Sequence, residues 1–383
     1  MLESASRAWI EVDFDAIAHN LDEVQKLVGN TKIMGIVKAN AYGHGAVPCA
    51  RAMEAWGVDF FGVSSVDEAL ELREAGIESD ILILGYTPPE HFHYLAEQNL
   101  VQSLVSSAYA HKLDAWAKEN GTKVRAHAKL DTGMNRTGVI YQKNQKHFEE
   151  LKDEYLLENV QVEGIFSHFP VSDDLEEEAT AFTRTQIALF EEALSRLREE
   201  GIDPGLRHIQ NSYGILNYGD LGYDYCRPGL LYMGVTSDDQ VPIASNPDFI
   251  PILSLSANVS LVKQLEPGAT VSYGRHFTVK KPMTIATLSI GYADGLPRLL
   301  SNQFHEVILD GHKMPLLGNI CMDQCMVDAT GLNVQEGDRA ILIGQDGEQR
   351  VTVDEISRKA GTINNETLTR FTARVPRLEK RCG

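Results

Sequence analysis

The feature that most restricts the fold is an alternation, from about residue 30 to 235, of short apolar runs with longer amphipathic segments. Runs that are apolar throughout are typical of parallel strands buried on both faces. The longer segments have helical periodicity, because apolar residues in them recur every three or four positions, as at Ile187, Phe190 and Leu194. The eight strand-like runs begin at residues 32, 59, 81, 100, 123, 160, 206 and 224.

Eight strand–helix units in about 210 residues match a (β/α)₈ barrel of the TIM type better than an open sheet. The helix expected after the seventh strand, in the stretch YGILNYGDLGY, is only weakly marked. A doubly wound α/β sheet therefore stays open as the alternative. In either case the sequence predicts an α/β N-terminal half.

The character of the sequence changes after residue 240. Pro242, Pro247 and Pro251 mark a linker, and short β-branched runs joined by Gly and Asp turns follow it. No long helical pattern returns before residues 353–361. We therefore predict two domains, a barrel over residues 1–240 and a mostly-β domain over residues 241–383.

Composition limits the partners that the protein can have. The chain has 383 residues, of which 43% are hydrophobic, so there is enough apolar material for large cores. Its 35 Lys+Arg against 54 Asp+Glu give a net charge of −19, which disfavours nucleic acid and anionic membranes as partners. No apolar run is long enough to span a bilayer, and no secretory signal is recognisable. The five scattered cysteines predict reduced thiols, no metal site and a cytoplasmic location.

Catalytic residues of a barrel lie where its strands end, at the C-terminal face. Lys38 ends the first predicted strand. A partly desolvated lysine has a lowered pKa, and its neutral amine is a base or a Schiff-base nucleophile. Taken alone, a lysine that reaches past the rim into solvent is the commoner explanation.

Other strand ends also carry polar groups. The loops after strands seven and eight commonly bind phosphate in barrels of this kind. Each residue alone has an ordinary structural explanation, but together they predict a site for an anionic small molecule. The residues at these strand ends are Lys129 and Arg136 after strand five, His168 after strand six, Asn211 and Ser212 after strand seven, and Arg227, Gly229 and Leu230 after strand eight.

Nine motifs of the chain resemble those of bacterial alanine racemases in order and spacing. They are VKANAYGHG, KLDTGMNRTG, SHF, QNS, RPGLLYMG, VSYG, GYADGLPR, GNICMDQ and RVPR. The resemblance covers essentially the whole chain. It implies a pyridoxal 5′-phosphate enzyme with an N-terminal barrel, a C-terminal β domain, and a homodimer whose active sites combine residues of both copies.

The resemblance also implies roles for single residues. Lys38 would hold the cofactor as an aldimine, and Lys129 matches a lysine that is carbamylated in many members of the family. The implied cofactor-binding set is Lys38, Tyr42, His168, Asn211, Ser212, Arg227, Gly229 and Leu230. The implied substrate-binding set is Arg136, Tyr292, Met322, Asp323 and Asn365.

Racemisation needs two bases on opposite sides of the substrate Cα. The resemblance assigns these roles to Lys38 and to Tyr273 of the second copy, with His168 and Arg227 assisting the tyrosine. Because a guanidinium does not give up its proton, Arg227 at the cofactor ring would leave that ring neutral. A neutral ring is a weaker electron sink, which disfavours the alternative of a barrel decarboxylase of basic amino acids.

One position departs from the family. Asn365 stands in the stretch Thr-Ile-Asn-Asn-Glu, where most alanine racemases have Tyr. The smaller amide should open the substrate pocket and add hydrogen-bonding groups, and a pocket for alanine rejects an added hydroxyl only weakly. We therefore expect racemisation of alanine for peptidoglycan and also of serine. The alternatives are serine as the main substrate and, outside catalysis, a pyridoxal-phosphate carrier.

Overall fold

The structure, a computed structural model, describes residues 7–380. Its N-terminal half contains a nearly closed ring of parallel strands, at the positions that the sequence predicts. The ring strands are Lys32–Ile33 with Gly35–Ile36, Phe60–Val63, Asp80–Ile83, Val101–Leu104, Val124–Asp131, Val160–Phe166, Leu206–His208 and Tyr225–Cys226.

The ring closes through its first strand, which is divided in two. Lys32–Ile33 pairs in parallel with Tyr225–Cys226, whereas Gly35–Ile36 pairs with Phe60–Val63 on the other side. The Met34 N–H between the two pieces donates to the Cys226 carbonyl at 2.8 Å. The predicted α/β barrel is confirmed, and the alternative of an open, doubly wound sheet is wrong.

Helices surround the strands. The position next to the eighth strand is filled by a helix that precedes the first strand, Asp15–Val28, whose Ile17, Leu21 and Val24 face the core. The sequence analysis did not predict this helix as part of the barrel. The other helices of this domain are Ala46–Trp56, Val66–Glu74, Phe92–Glu97, Ser107–Glu119, Phe148–Tyr155, Glu177–Glu199 and the short Ser212–Tyr218.

The second domain is mostly β, as predicted. Six antiparallel strands form a ring, because the long strand Leu253–Leu265 pairs with the last strand of the series as well as with its own neighbour. Helices Val353–Ala360 and Asn364–Thr369 follow the sheet. In spatial order the ring strands are Leu253–Leu265, Met283–Leu288, Cys325–Asp328, His312–Leu317, Glu306–Leu309 and Arg339–Asp346.

Shorter elements complete both domains. The strand Gln349–Val351 extends the β-domain sheet, and Thr270–Val271 pairs with Phe277–Thr278. On the barrel, Val139–Gln142 and Gln145–Lys146 form a hairpin beside Val124–Asp131.

The division of the chain is less simple than a cut at residue 240. Strand Ala8–Val12 pairs with Leu253–Leu265 and with Arg377–Glu379, so it belongs to the C-terminal sheet and not to the barrel. Alternation along this strand buries Ala8, Ile10 and Val12. Strand Ala8–Val12 therefore lies in the sheet of the second domain, while the predicted domains, residues 1–240 and 241–383, stay a prediction.

Two features of the described residues concern the predictions from composition. None of their helices is long and apolar enough to cross a membrane. Cys49, Cys226, Cys321 and Cys325 carry free thiols, and the fifth cysteine, Cys382, lies outside the described residues.

Candidate active site

A cavity of about 440 Å³ opens at the C-terminal ends of the barrel strands. It brings together the residues that the strand ends predicted, and also Asn365 from the second domain. The predicted residues that line it are Lys38, Tyr42, Lys129, Arg136, His168, Asn211, Ser212, Arg227, Gly229, Leu230 and Asn365.

Lys38 begins a turn of unusual conformation, which we call the lysine turn and define as residues Lys38–Tyr42. Ala39, Asn40, Ala41 and Tyr42 all have φ between 48° and 54°. The left-handed region costs roughly 1–2 kcal/mol for each residue with a Cβ, and it is normally visited by single residues. Four such residues in succession need contacts that hold them there.

Some of these contacts come from the turn itself and some from the second domain. The Asn40 side chain accepts a hydrogen bond from the Ala46 N–H at 2.8 Å. Arg377 donates from Nε to the Gly43 carbonyl at 2.8 Å, and its other donors reach carbonyls of its own segment. At Gly43, whose φ is +85°, a Cβ would lie 2.3 Å from the Leu368 carbonyl oxygen. The turn that carries Lys38 is therefore clamped between the two domains.

The cavity is strongly cationic. Burial, with the positive charge of Arg136, lowers the pKa of Lys38 below its ordinary value. Burial and the charges of Arg227 and Arg136 lower the pKa of Lys129 well below 10.5. Arg136 itself is exposed, and within residues 7–380 no ion-pair partner is found for it. Such a set of cations suits a ligand with several negative charges.

Small donors form a cup on one wall of the cavity. The Ser212 hydroxyl accepts a hydrogen bond from the Gly229 N–H at 3.0 Å. A Cβ on Gly229 would lie 2.9 Å from the Tyr42 hydroxyl, so only glycine leaves the space open. Burial raises the pKa of Tyr42 to about 12, which keeps its O–H as a donor. The hydroxyls of Tyr42 and Ser212, two neutral donors beside an open space, fit a phosphate group.

Asn211 contributes indirectly, although it borders the cavity. Its Oδ1 accepts from the Gly214 N–H at 2.8 Å and from the Ser172 hydroxyl at 2.9 Å, while its Nδ2 donates to the Phe169 carbonyl. These bonds occupy its amide and fix the start of helix Ser212–Tyr218. Asn211 therefore orients Ser212.

Arg227 lies on the cavity floor and is tied to a chain of histidines. Burial lowers its pKa to about 9, so it keeps its proton at neutral pH. Its Nη1 donates to His208 Nδ1 at 2.6 Å, and His208 Nε2 lies 2.9 Å from His127 Nδ1. Because Arg227 can only donate, His208 Nδ1 accepts this hydrogen bond and the proton of His208 is on Nε2. The Nε2–H then donates to His127 Nδ1. The guanidinium is thereby fixed without any carboxylate.

His168 stands beside this group. Its Nδ1 lies 3.4 Å from Arg227 Nη2, a long contact. Burial and the charge of Arg227 lower the pKa of His168 well below its ordinary value, so the ring is neutral. A neutral imidazole can accept a proton or a hydrogen bond at the cavity wall.

The remaining predicted residues lie elsewhere in the chain, on an exposed surface of the β domain that we call the tyrosine face. Tyr273 is 71% exposed and Met322 is 52% exposed, and neither borders the Lys38 cavity. Asp323 and Tyr292 lie beside them, with the Tyr292 N–H donating to the Cys321 carbonyl at 3.0 Å. Within one chain, the structure does not bring these four residues to the cavity.

Ion pairs and a hydrogen bond to the backbone hold the tyrosine face in place. Buried Asp294 pairs with Arg7 and, at 3.3 Å, with Arg374, and Arg374 also binds Asp323. The Asn319 amide donates to the Tyr273 carbonyl at 2.6 Å. The exposed tyrosine therefore has a fixed backbone.

Sequence reasoning missed three residues of the cavity's surroundings. His127 lies within the strand Val124–Asp131 and His208 ends the strand Leu206–His208, and both are buried. A histidine in or at the end of a strand-like run is the signal that could have found them. Glu68 binds the backbone next to Lys38, but its sequence context, Ser-x-x-Glu, indicates only a helix start. No sequence signal connects Glu68 with the lysine.

A lysine with a lowered pKa, a cup of neutral hydroxyls and a buried guanidinium meet at one barrel mouth, an arrangement typical of barrel enzymes that act on phosphorylated carbonyl compounds. The family model of the alanine racemase N-terminal domain matches residues 12–237, and that of the alanine racemase C-terminal domain matches residues 252–379. The chain belongs to the alanine racemase family.

Individual relatives agree with this assignment. Alanine racemase 2 of Caldanaerobacter subterraneus subsp. tengcongensis is 40% identical over 375 residues, 96% of this chain and 94% of the relative. The alanine racemase of Clostridium difficile 630 superposes with a TM-score of 0.90 at 34% identity, covering 98% of this chain and 96% of the other.

The Bartonella henselae enzyme has a TM-score of 0.84 at 30% identity, covers 98% of this chain and 100% of its own, and carries covalently bound pyridoxal phosphate. The family is pyridoxal 5′-phosphate-dependent, which confirms the predicted cofactor.

Proposed function

We propose that this protein interconverts L-alanine and D-alanine with two bases, Lys38 and Tyr273 of a second copy. The observation that carries the proposal is the division of the predicted site within one chain. The cavity holds a lysine with a lowered pKa, while the tyrosine is displayed, exposed, on a separate surface. Each copy would complete the cavity of the other.

The cavity residues would divide the work as follows. Pyridoxal 5′-phosphate, when bound, supplies the electron sink that acidifies the substrate Cα–H. The cup of Tyr42, Ser212 and Gly229 would hold its phosphate, and Arg227 would face its ring nitrogen without giving up a proton. Lys38, whose pKa is lowered by burial and by the charge of Arg136, would take or return the Cα proton on one side.

On the opposite side, Tyr273 of the partner would exchange the proton. Neutral His168, near Arg227, would accept a hydrogen bond from that phenol. Arg136, a cation without an ion-pair partner among the described residues, would bind the substrate carboxylate together with the Met322 backbone of the partner, and Asp323 and Tyr292 would line the entrance.

Complementation between inactive variants tests this arrangement. Lys38→Ala and Tyr273→Phe should each be inactive alone. Co-expressed, half of the dimers are mixed, and each mixed dimer contains one intact site, so about a quarter of the wild-type sites return. Formation of D-alanine from L-alanine measures the activity, because it needs both bases. If the mixture stays as inactive as its components, both bases belong to one chain and the shared site is refuted.

Lys129 is proposed to carry a carbamate. Its amine is buried and lies 4.1 Å from the centre of the Phe166 ring, and its lowered pKa favours the neutral, nucleophilic form. It would add to CO₂ with formation of the N–C bond and loss of one proton, becoming an anion next to Arg136. Intact-mass measurement with and without bicarbonate tests this step.

Serine is proposed as a second substrate because of Asn365. This residue lines the cavity, and its Oδ1 is buried without a hydrogen-bond partner in the described structure. An unpaired buried acceptor costs roughly 1–3 kcal/mol, and a substrate hydroxyl would satisfy it. Alanine has no hydroxyl, so Asn365 should raise the activity on serine relative to alanine above the ratio that an apolar pocket would give.

The substrate ratio tests the role of Asn365. Asn365→Tyr should lower kcat/KM for serine relative to alanine by about tenfold or more, the equivalent of one hydrogen bond. Asn365→Ala is the control, since it leaves the space but removes the acceptor, and should lower the ratio less. An unchanged ratio in the tyrosine variant would refute the serine proposal. Supply of D-alanine for peptidoglycan stays a prediction.

A further inference from the structure

We propose that Glu68 is a positioning residue for Lys38: its carboxylate holds the lysine turn in its left-handed conformation and places one negative charge beside the amine. The inference deepens the proposed function and rests on Lys38 being the reacting amine. Glu68 lies on the helix Val66–Glu74 and does not line the cavity.

The Glu68 carboxylate accepts two backbone hydrogen bonds. Glu68 Oε1 accepts a hydrogen bond from the Ala39 N–H at 2.7 Å, directly after Lys38. Its Oε2 accepts from the Ser64 N–H at 2.6 Å, at the end of the second barrel strand. One carboxylate thus bridges the start of the lysine turn and the rim of the cavity, where Ser64 lies.

Capping of helix Val66–Glu74 does not require these two hydrogen bonds of Glu68. Helix Val66–Glu74 begins with Ser65, whose hydroxyl accepts from the Glu68 N–H, as in half of a capping box. In a complete box the glutamate would return to the N–H of Ser65 itself. Here both of its oxygens are used elsewhere, and one of them reaches the lysine turn, 29 positions away in sequence.

The charge of Glu68 also acts on the Lys38 amine. The charged groups that act on the Lys38 amine are Arg136 and Arg227, which disfavour its protonation, and Glu68, which favours it. Lys129 and His168 border the same cavity, and burial lowers the pKa of both. The negative charge of Glu68 opposes the effect of these cations and raises the pKa of the Lys38 amine. Without it, the amine would lose its proton at a lower pH.

The test compares Glu68→Gln with Asp67→Asn. The glutamine keeps the size of the side chain and one acceptor but loses the charge and the second acceptor. Asp67 is exposed in the first turn of the same helix, so its variant removes an equal charge from the helix start without a contact to the lysine turn. Both variants are studied as cofactor-free full-length protein, so the result does not depend on racemase activity.

Two readouts are needed. Amide hydrogen exchange over residues 37–44 should become at least about tenfold faster in Glu68→Gln, because the turn is released. The pH profile of Lys38 acylation, followed by mass spectrometry, should move to lower pH, with an unprotonated fraction about threefold larger below the midpoint. Asp67→Asn should match the wild type in both.

The inference is overturned if Glu68→Gln leaves either readout unchanged, or if Asp67→Asn changes them equally, which would indicate a general effect of charge at the helix start. Absence of alanine racemisation by the cofactor-loaded wild type would instead refute the proposed function, and the two readouts would still decide the role of Glu68.

Discussion

The lysine cavity and the tyrosine face differ in how far their reactive side chains are exposed to solvent. Lys38 and Lys129 are basic groups removed from water among further cations, and burial lowers the pKa of both. Tyr273 lies open to solvent on a rigid backbone, anchored by the amide of Asn319. The cavity is already adjusted as an acid–base site, whereas the tyrosine has a fixed position and no enclosing environment. A desolvating partner surface is what the tyrosine face lacks.

The largest expected effect separates activity from stability at the tyrosine face. Tyr273→Phe should lower kcat by about 10²–10⁴-fold, the usual contribution of a general acid or base. Because the side chain is 71% exposed, the free energy of unfolding should stay within about 0.5 kcal/mol of wild type. Kinetics and urea denaturation measure the two quantities. A large loss of stability would show that the hydroxyl is structural.

The next effect concerns the clamp behind Lys38. Gly43→Ala should destabilise the protein by about 3 kcal/mol or more, because strain and a clash with the Leu368 carbonyl add. Gly76→Ala is the matched control: its φ is +83° against +85° at Gly43, but no atom lies within 4 Å of the added Cβ. It should cost only about 1–2 kcal/mol. Equal losses in urea denaturation would exclude the close contact as a cause.

A smaller, pH-dependent effect is expected at Lys129. Its folded-state pKa lies below that of the unfolded chain, so the unfolded state binds more protons and wild-type stability rises as pH increases toward 10.5. Lys129→Met should therefore stabilise the cofactor-free protein against urea at pH 7, and by less at pH 10, where protonation of Lys129 favours the unfolded chain less.

This measurement needs CO₂-free buffer, since a carbamate on Lys129 would replace the amine whose titration is measured. Lys123→Met, at an exposed position before the same strand, should have a negligible effect at both values of pH. A Lys129 effect that does not change with pH would mean that the gain comes from packing alone.

The smallest effect is expected at the rim of the tyrosine face. Asp323 pairs with Arg374 at 2.6 Å, but both side chains are about half exposed. Exposed pairs contribute about 0–1 kcal/mol, so Asp323→Asn should hardly change the urea midpoint. A change of more than about 2 kcal/mol would require a buried role that this surface does not have in one chain.

How much of this could be predicted from sequence depended on whether a residue acts through its own strand or through contacts far along the chain. Lys38, Ser212 and Arg227 follow strands whose apolar patterns are clear, so their meeting at one barrel mouth was predictable. The helix Asp15–Val28 was not predicted in the barrel, because periodicity shows that a helix exists but not where it packs.

Longer-range effects were out of reach for the same reason. Glu68 matches a helix-capping pattern, and nothing in the sequence indicates that its carboxylate turns to Ala39. The left-handed lysine turn is likewise unmarked, since Ala and Tyr disfavour that conformation and only tertiary contacts impose it. The position of strand Ala8–Val12 in the far domain depends on a pairing that no local pattern contains.

That strand has a consequence for how the molecule is made. Ala8–Val12 emerges from the ribosome before any barrel strand, yet one of its two neighbours, Arg377–Glu379, is synthesised hundreds of residues later. Until then that edge of Ala8–Val12 has no parallel neighbour to pair with, although every strand of the barrel has already been synthesised. Completion of the second domain's sheet is thereby tied to completion of the polypeptide, because a ribosome-bound chain stalled before Arg377 lacks the strand that pairs in parallel with Ala8–Val12.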